Sequence, residues 1–289
     1  MENISRLIPP VRQPWAIEVY PYLYDHHFAG KAIFPAAEAL ITLARVVEKN
    51  FPGAAVNSLT DANFPRFLSI PSDAKTLTVS VDLEEIRKGR IRATLLQSVK
   101  SPTGRISRIV EHARVEFAGI AGKQKPAHPF GDLEKLEGEC IKIPAAAIYS
   151  VLVPFGRAYQ NITGELSVSR AGALGNISGG DAPSDDDLLG SPFPFDAAMH
   201  MACAWAQRFT DVVPFPIGFA KRIIYSKTKK GVGYLGRIVP ASFTPKTLVF
   251  DAWIFDPEGA VCEVIVGIKM VDVSQGRVKP PAWIKATTS

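Results

Sequence analysis

The chain repeats one plan twice, and this duplication restricts its possible folds more than any other feature. In each half a proline leads into an apolar helical pattern, and a long hairpin with Pro-x-Gly turn chemistry follows later. Nearly the same number of residues separates Pro35 from Gly104 as separates Pro192 from Gly259. The sequence therefore predicts two copies of one α+β unit.

Hydrophobic periodicity predicts the elements of each unit. Each predicted helix is apolar nearly all round, which requires burial on most sides, and a curved antiparallel sheet supplies it. A central helix wrapped by long strands is the hotdog fold, and two in tandem make a double hotdog. The helices are predicted at 36–49 and at 197–209, the second opened by 191–196. The strands are predicted at 76–83, 90–100, 105–117, 247–255 and 260–271.

A segment rich in Gly, Pro and Lys separates the two units and shows no sustained periodicity. We therefore predict an N-terminal hotdog over 1–118, a linker over 119–140 and a C-terminal hotdog over 141–289. A second polar stretch, 178–187, carries an acidic run that is typical of a solvated loop.

Composition argues against several classes of protein. No stretch approaches the roughly 18 apolar residues of a membrane span, and the N-terminus lacks a signal-peptide pattern, so we expect a soluble, cytoplasmic protein. The 3 cysteines are far apart and suit neither a disulfide framework nor a cysteine metal site. The initial Met1 and the lack of a second catalytic module favour a separate protein over a segment of a longer one.

The net charge of +5 is mild, but the basic residues cluster, which indicates an acidic partner. The clusters carry no interleaved aromatic residues and match no nucleic-acid-binding motif, so nucleic acid is not expected. A solvated basic face is the alternative. The clusters are Arg87, Lys88, Arg90 and Arg92, and then Lys221, Arg222, Lys227, Lys229 and Lys230.

His26 is the first candidate for chemistry. It precedes the first helix in a loop that contains Gly30 and closes at Pro35. The free N–H groups of a helix N-terminus can hold a carbonyl oxygen, which acidifies the neighbouring carbon. An imidazole placed there can remove the proton from that carbon. A structural loop histidine is the alternative.

Asp196 is the second candidate. Its apolar surroundings predict that desolvation raises its pKa and favours the protonated form that a general acid needs. His200 follows at i+4, on the same helix face, where it can orient the carboxyl group. The alternative is that Asp196 caps the helix N-terminus.

Two motifs connect these residues to one family. The run His26-x-x-x-Gly30-x-x-x-x-Pro35 resembles the HxxxGxxxxP motif of polyketide synthase dehydratases, and Ala36 after it also fits. The run from Asp196 to His200 resembles the family's DxxxQ or DxxxH motif. The motifs occur in the family's order, and the resemblance extends from about residue 23 to about residue 273.

A third segment, 153–162, resembles the family's YGPxFQ segment, which lines the substrate tunnel. Here Phe155 occupies the tyrosine position and Arg157 the proline position. Ser191 stands where the family usually has histidine. The resemblance implies these substrate-binding residues: Gly30, Pro35, Ala36, Phe155, Gly156 and Tyr159.

The resemblance implies a dehydratase that converts a 3-hydroxyacyl thioester to a 2-enoyl thioester and water. His26 would remove the C2 proton, and Asp196, oriented by His200, would protonate the departing hydroxyl. It implies no cofactor, an acyl carrier protein as the acidic partner that bears the substrate, and a homodimer. A metal site is not expected, since the adjacent His26 and His27 lack suitably spaced carboxylate or cysteine ligands.

Two alternatives stay open at this level. The same histidine–aspartate pair can shift a double bond or guide a cyclisation, and a non-catalytic double hotdog can bind an acyl carrier. His27 competes weakly with His26, while His112 and His128 are interpreted as structural or exposed. Motifs for nucleotide binding and for serine hydrolases do not occur.

Overall fold

The computed structural model describes residues 10–87, 89–100, 107–118, 130–182, 188–244 and 246–286. The strands of the first half are β1 (Val11–Glu18), β2 (His27–Phe28), β3 (Lys31–Ala32), β4 (Ser58–Asn63), β5 (Thr76–Arg87), β6 (Arg90–Lys100) and β7 (Ser107–Phe117). Those of the second half are β8 (Ile141–Pro144), β9 (Ile162–Ser169), β10 (Gly172–Ser178), β11 (Phe215–Ile224), β12 (Gly233–Phe243), β13 (Leu248–Phe255) and β14 (Val261–Val271). The α-helices are α1 (Ala36–Asn50), α2 (Phe130–Leu133), α3 (Ala145–Ala147), α4 (Pro192–Phe209) and α5 (Ala282–Lys285).

One antiparallel sheet of 12 strands forms the frame, in the order β1-β5-β6-β7-β4-β11-β14-β13-β12-β10-β9-β8. From the central β4–β11 pair outward, the order β4-β7-β6-β5-β1 is matched by β11-β14-β13-β12-β10. Along the chain, α1 follows β1 and precedes β4, and α4 follows β10 and precedes β11. These strands occupy equivalent places in the sheet order. The two halves are thus hotdog units joined edge to edge, and the predicted double hotdog is confirmed.

The two long helices occupy the concave sides of these units. Helix α4 is buried from Pro192 to Gln207, whereas α1 buries one broad face and exposes Arg45 at its back. Helix α1 packs on β5, β6 and β7, and α4 packs on β9 to β13. The helices also contact each other, and residues near the N-terminal ends of both helices line one cavity.

The long hairpins form as predicted, with small changes at their ends. Strand β6 spans the predicted residues, while the turn at 101–104 lies outside the described residues. The turn after β13 is held by Asp256, whose Oδ1 accepts the N–H groups of Glu258 at 3.1 Å and Ala260 at 2.7 Å. Of the predicted linker, 119–129 is outside the described part, and the short helix α2 follows; the proposed domain limits stay a prediction.

The basic clusters are less free than their sequence suggests. Arg92 is paired with Glu84 at 3.0 Å and with Glu116 at 2.8 Å. Arg222 is buried and paired with Glu263 at 2.7 Å, because the two side chains lie on neighbouring strands β11 and β14. Arg92 and Arg222 are therefore not available to a partner, whereas Lys227, Lys229 and Lys230 are exposed.

Within the described ranges, no helix combines the length and the apolar character that crossing a bilayer would require.

Candidate active site

His26 is held in place by its own loop. The hairpin β2–β3 turns at Ala29 and Gly30, whose φ angles of 49° and 74° are the left-handed values that a tight two-residue turn requires. This turn brings Ile33 back to His26, and their backbones bond through Ile33 N–H and His26 C=O at 2.8 Å. The Nδ1 atom of His26 lies 2.8 Å from the carbonyl oxygen of Ile33. Since that oxygen can only accept, Nδ1 carries the proton and Nε2 keeps a free lone pair.

Aromatic rings bury the His26 imidazole. Its ring centroid lies 4.4 Å from that of Phe155 and 5.1 Å from that of Tyr159. Desolvation by this burial lowers the pKa of His26 from its usual value, more than the nearby Asp196 carboxylate raises it. His26 is therefore neutral at pH 7, the form of a general base.

Helix α4 begins earlier than the sequence suggested. Ser191 is its N-cap, with an Oγ that accepts the N–H of Phe193 at 3.4 Å and donates to the carbonyl of Gly179 at 2.6 Å. Pro192 takes the first helical position, where the missing N–H is not needed. Asp196 thus lies one turn inside the helix with its side chain free for other contacts, and the alternative that it caps the helix is wrong.

Each carboxylate oxygen of Asp196 faces a different histidine. Its Oδ1 is 4.0 Å from Nε2 of His26, and its Oδ2 is 3.0 Å from Nε2 of His200. The distance from Oδ2 to His200 is short, but its direction is poor for a hydrogen bond. Among the described residues, neither Asp196 Oδ2 nor His200 Nε2 has a well-aligned partner. Both atoms are fully buried and lie against each other, whereas Oδ1 of Asp196 faces His26.

The predicted rise of the Asp196 pKa is wrong. Burial pushes this pKa upward, but the neighbouring His200 and, more weakly, His26 outweigh it, so that the pKa lies below its usual value. The sequence places His200 on the same helix face at i+4, but only the structure shows that it lies close enough to the carboxylate to outweigh burial. The ionised form of the Asp196 carboxyl is thus favoured, so Asp196 must take up a proton before it can act as a general acid.

Tyr149, which the sequence analysis missed, fixes the orientation of His200. Its hydroxyl accepts the backbone N–H of Ile162 at 2.7 Å and lies 3.4 Å from Nδ1 of His200. The hydroxyl still has its proton to donate to Nδ1, and with that bond the His200 Nε2–H faces Asp196. No motif surrounds Tyr149, so only the fold reveals this contact.

Asp25 joins the two units beside His26. Its backbone carbonyl accepts the N–H of Gly156 at 2.8 Å, and its Oδ2 accepts the N–H of Ala158 at 2.9 Å. A Cβ atom on Gly156 would overlap the Asp25 side chain. Glycine is therefore required here for close approach of the segment that carries Phe155 and Tyr159.

A cavity of about 490 Å³ contains the two candidate catalytic residues. His26, Asp196, His200, Gly30, Ala36 and Phe155 all line it. The predicted Pro35, Gly156 and Tyr159 are not among its lining residues: Pro35 is the buried N-cap of α1, and Tyr159 is buried between His26 and Phe193. Most of the remaining wall is apolar, including Phe64, Leu68, Leu95, Phe195 and Phe219.

Solved structures of similar shape are dehydratase domains. The dehydratase domain of RzxB from Pseudomonas fluorescens has a TM-score of 0.67 at 14% identity, covering 89% of this chain and 93% of that chain. A trans-AT polyketide synthase dehydratase domain from Brevibacillus brevis has a TM-score of 0.71 at 16% identity, covering 91% and 94%. The dehydratase domain from the CurF module of curacin polyketide synthase has a TM-score of 0.70 at 21% identity, covering 93% and 95%.

A scan of protein-family models and a search of curated proteins each gave no match. The fold and the site define a double-hotdog protein with a histidine–aspartate centre between its two units. Its fold is that of the dehydratase domains of polyketide synthases, matched over about nine tenths of the chain.

Proposed function

We propose that this protein is a 3-hydroxyacyl thioester dehydratase. The observation that carries the proposal is that His26 Nε2 and Asp196 Oδ1 lie 4.0 Å apart on the wall of one cavity. Dehydration needs a base at C2 and an acid at C3, which are adjacent atoms of the substrate. Two groups at this separation can each reach one of them.

The first half of the reaction is proton removal at C2. His26 is neutral and presents Nε2 to the cavity, so it takes the proton while Nδ1 stays bonded to Ile33. Ala36 places the N-terminus of α1 on the cavity wall. The N–H groups of this first turn, before the bond from Ala39 N–H to the Pro35 carbonyl, can hold the thioester oxygen as negative charge develops.

The second half is loss of the C3 hydroxyl. The C3–O bond breaks, and the oxygen leaves as water with a proton that Asp196 has taken up before the reaction. Tyr149 keeps His200 oriented during this step. The reaction leaves Asp196 as a carboxylate and His26 as an imidazolium, and transfer of that proton from His26 to Asp196 restores the site, so that no cofactor is consumed.

The substrate's bearer is proposed from charge. Acyl carrier proteins are acidic, and Lys227, Lys229 and Lys230 form an exposed basic group between β11 and β12. Such a group speeds encounter with an acidic partner. We further infer a cytoplasmic location, since the free cysteines Cys140, Cys203 and Cys262 suit a reducing compartment. A homodimer stays a prediction, which light scattering can test.

The decisive experiment follows the mass of 3-hydroxyacyl pantetheine thioesters after incubation with the protein. We expect a product lighter by one water. His26→Ala and Asp196→Asn should each abolish this product, while His27→Ala, a matched control at the neighbouring histidine, should retain it.

Other outcomes identify the alternatives. A product of unchanged mass with a moved double bond would indicate an isomerase, and a cyclic product would indicate a cyclase. A folded wild-type protein that binds the thioester without changing it would overturn the enzymatic proposal and favour a carrier-binding role.

A further inference from the structure

His112 occupies an irregular point of strand β7. Along the β6–β7 pair, Leu95 is opposite Ala113, but Leu96 is opposite Glu111. His112 is thus the extra residue of a β-bulge. Bulges redirect a side chain and are common beside functional sites.

The bulge turns two consecutive side chains inward. Before it, Val110 and His112 are buried; after it, Ala113, Val115 and Phe117 are buried, and so is Glu116, which pairs with Arg90 and Arg92. A regular strand would alternate its faces, so that one of His112 and Ala113 would point away from the core. The bulge instead keeps His112 buried, with 7% of its surface exposed, and places it on the wall of the cavity that contains His26 and Asp196.

One ring nitrogen of His112 is satisfied and the other is not. Its Nδ1 lies 3.2 Å from the carbonyl oxygen of Arg66, to which it donates. Its Nε2 is buried and has no hydrogen-bond partner among the described residues. Burial lowers the pKa of His112 more than its contacts with the backbone of Arg66 and Phe67 raise it, so the ring is neutral and the nitrogen without the proton is a hydrogen-bond acceptor.

An unpaired hydrogen-bond acceptor in a mostly apolar cavity favours a ligand that carries a hydrogen-bond donor. Leu68, Leu95 and Phe64 line the same cavity and can pack only against hydrocarbon. A hydroxyl group brought into this cavity can donate to Nε2, whereas a ketone or ether oxygen has no proton to give. A purely hydrocarbon chain would leave this acceptor unpaired, so the binding of such a chain is less favourable.

We propose that His112 is a specificity-determining residue, whose Nε2 accepts a hydrogen bond from a second hydroxyl group on the acyl chain of the substrate. The site then selects hydroxylated acyl chains over ketone-bearing and fully reduced ones. This rests on the proposed function, because the acyl chain of a thioester is what fills the cavity.

The test compares 3-hydroxyacyl pantetheine thioesters that differ only at C5, C7 or C9, each carrying a hydroxyl, a ketone or no oxygen. We expect wild-type kcat/KM to be about tenfold higher for the hydroxylated chain at one of these positions, the effect of one neutral hydrogen bond. The ketone at that position should gain nothing.

Two variants separate selection from structural support. His112→Asn keeps an N–H near the Nδ1 position for the Arg66 carbonyl but has no atom in place of Nε2, so the preference should disappear. His112→Gln places an amide oxygen near Nε2 and should restore part of the preference. Equal losses on all chains in both variants would show a structural role only and overturn the proposal.

A binding measurement separates this proposal from the proposed function. Acyl pantetheines without a 3-hydroxyl cannot be dehydrated, so calorimetry with their hydroxylated and plain forms reports recognition alone. A preference for the hydroxylated form that His112→Asn removes supports the proposal even if the protein proves to be no dehydratase. A wild type that binds both forms equally overturns it even if dehydration is observed.

Discussion

His26 Nε2 and Asp196 Oδ1 lie 4.0 Å apart, although each belongs to a different hotdog unit. Their meeting depends on two features at the unit boundary. Asp25, next to His26, binds the backbone of the Gly156–Ala158 segment, and helix α1 packs on helix α4. The geometry of the proposed reaction is thus set by contacts between units, and it should respond to changes in those contacts.

Tyr149→Phe should weaken both the fold and the reaction. Without the hydroxyl, the Ile162 N–H loses its acceptor, which costs about 1–3 kcal/mol of unfolding free energy for a buried donor. His200 also loses the group that fixes its ring protons, so we expect kcat to fall more than KM changes. Urea denaturation and steady-state kinetics measure the two effects, and an unchanged kcat in a folded variant would exclude the orienting role.

Acid should reduce activity only below the ordinary histidine range. Burial lowers the pKa of His26, so its basic form persists below the usual value of about 6.5. The acidic limb of kcat/KM should therefore have its midpoint below about 6.5, because this parameter reports the free enzyme. A midpoint above that value would contradict His26 as the base.

The same shift predicts how stability depends on pH. The unfolded chain protonates His26 more readily than the folded chain, so unfolding free energy should decrease as pH falls from about 6.5 toward the folded pKa. His112 acts in the same direction. Chemical denaturation of wild type and His26→Phe at several pH values checks this, and the variant should lose less stability on acidification.

Gly156→Ala should be more damaging than Gly30→Ala. A Cβ atom at position 156 would overlap the Asp25 side chain and push the Gly156 segment away from the His26 loop. Overpacking of this kind lowers the unfolding free energy by about 1–3 kcal/mol. At Gly30 the space is open, and only the φ of 74° opposes alanine, about 1 kcal/mol. Thermal unfolding and kcat rank the two variants, and equal effects would show that the contact with Asp25 is not tight.

Charge reversal at Lys227, Lys229 and Lys230 should affect only carrier-borne substrates. Replacing all three by glutamate removes attraction to an acidic carrier, so kcat/KM should fall for acyl carrier thioesters and rise toward wild type with salt. Pantetheine thioesters, which lack the carrier, provide the control. A loss on both substrates would place the effect at the cavity instead of at an encounter surface.

The sequence predicts the main elements of this site because each depends on residues that are close together in the chain. Two prolines mark the helix starts, and the spacing of His26 to Gly30 forms a turn that only two residues with positive φ can close. The position of Ser191 before Pro192 also follows a local rule for helix starts. With Ser191 as the N-cap, Asp196 lies inside the helix.

Other features depend on distant contacts and have weaker signals. The pKa of Asp196 depends on how burial balances against the close approach of His200 and, in smaller part, of His26 from the other unit, and Tyr149 has no motif. His112 leaves one trace in the sequence: the buried alternation of β7 slips by one residue between His112 and Ala113. Such a slip marks a bulge, but the strand partner is needed to show where the side chain points.

The central β4–β11 pair has a consequence for how the protein is made. During synthesis the first hotdog unit emerges before β11 exists, so β4 has an unpaired edge and His26 faces no acid. Pairing such distant strands is a slow, non-local event, and an open strand edge invites association with other chains. The step that closes this edge also assembles the proposed active site, so activity would report that this edge is paired, while β1 and β8 remain the outer strands of the sheet.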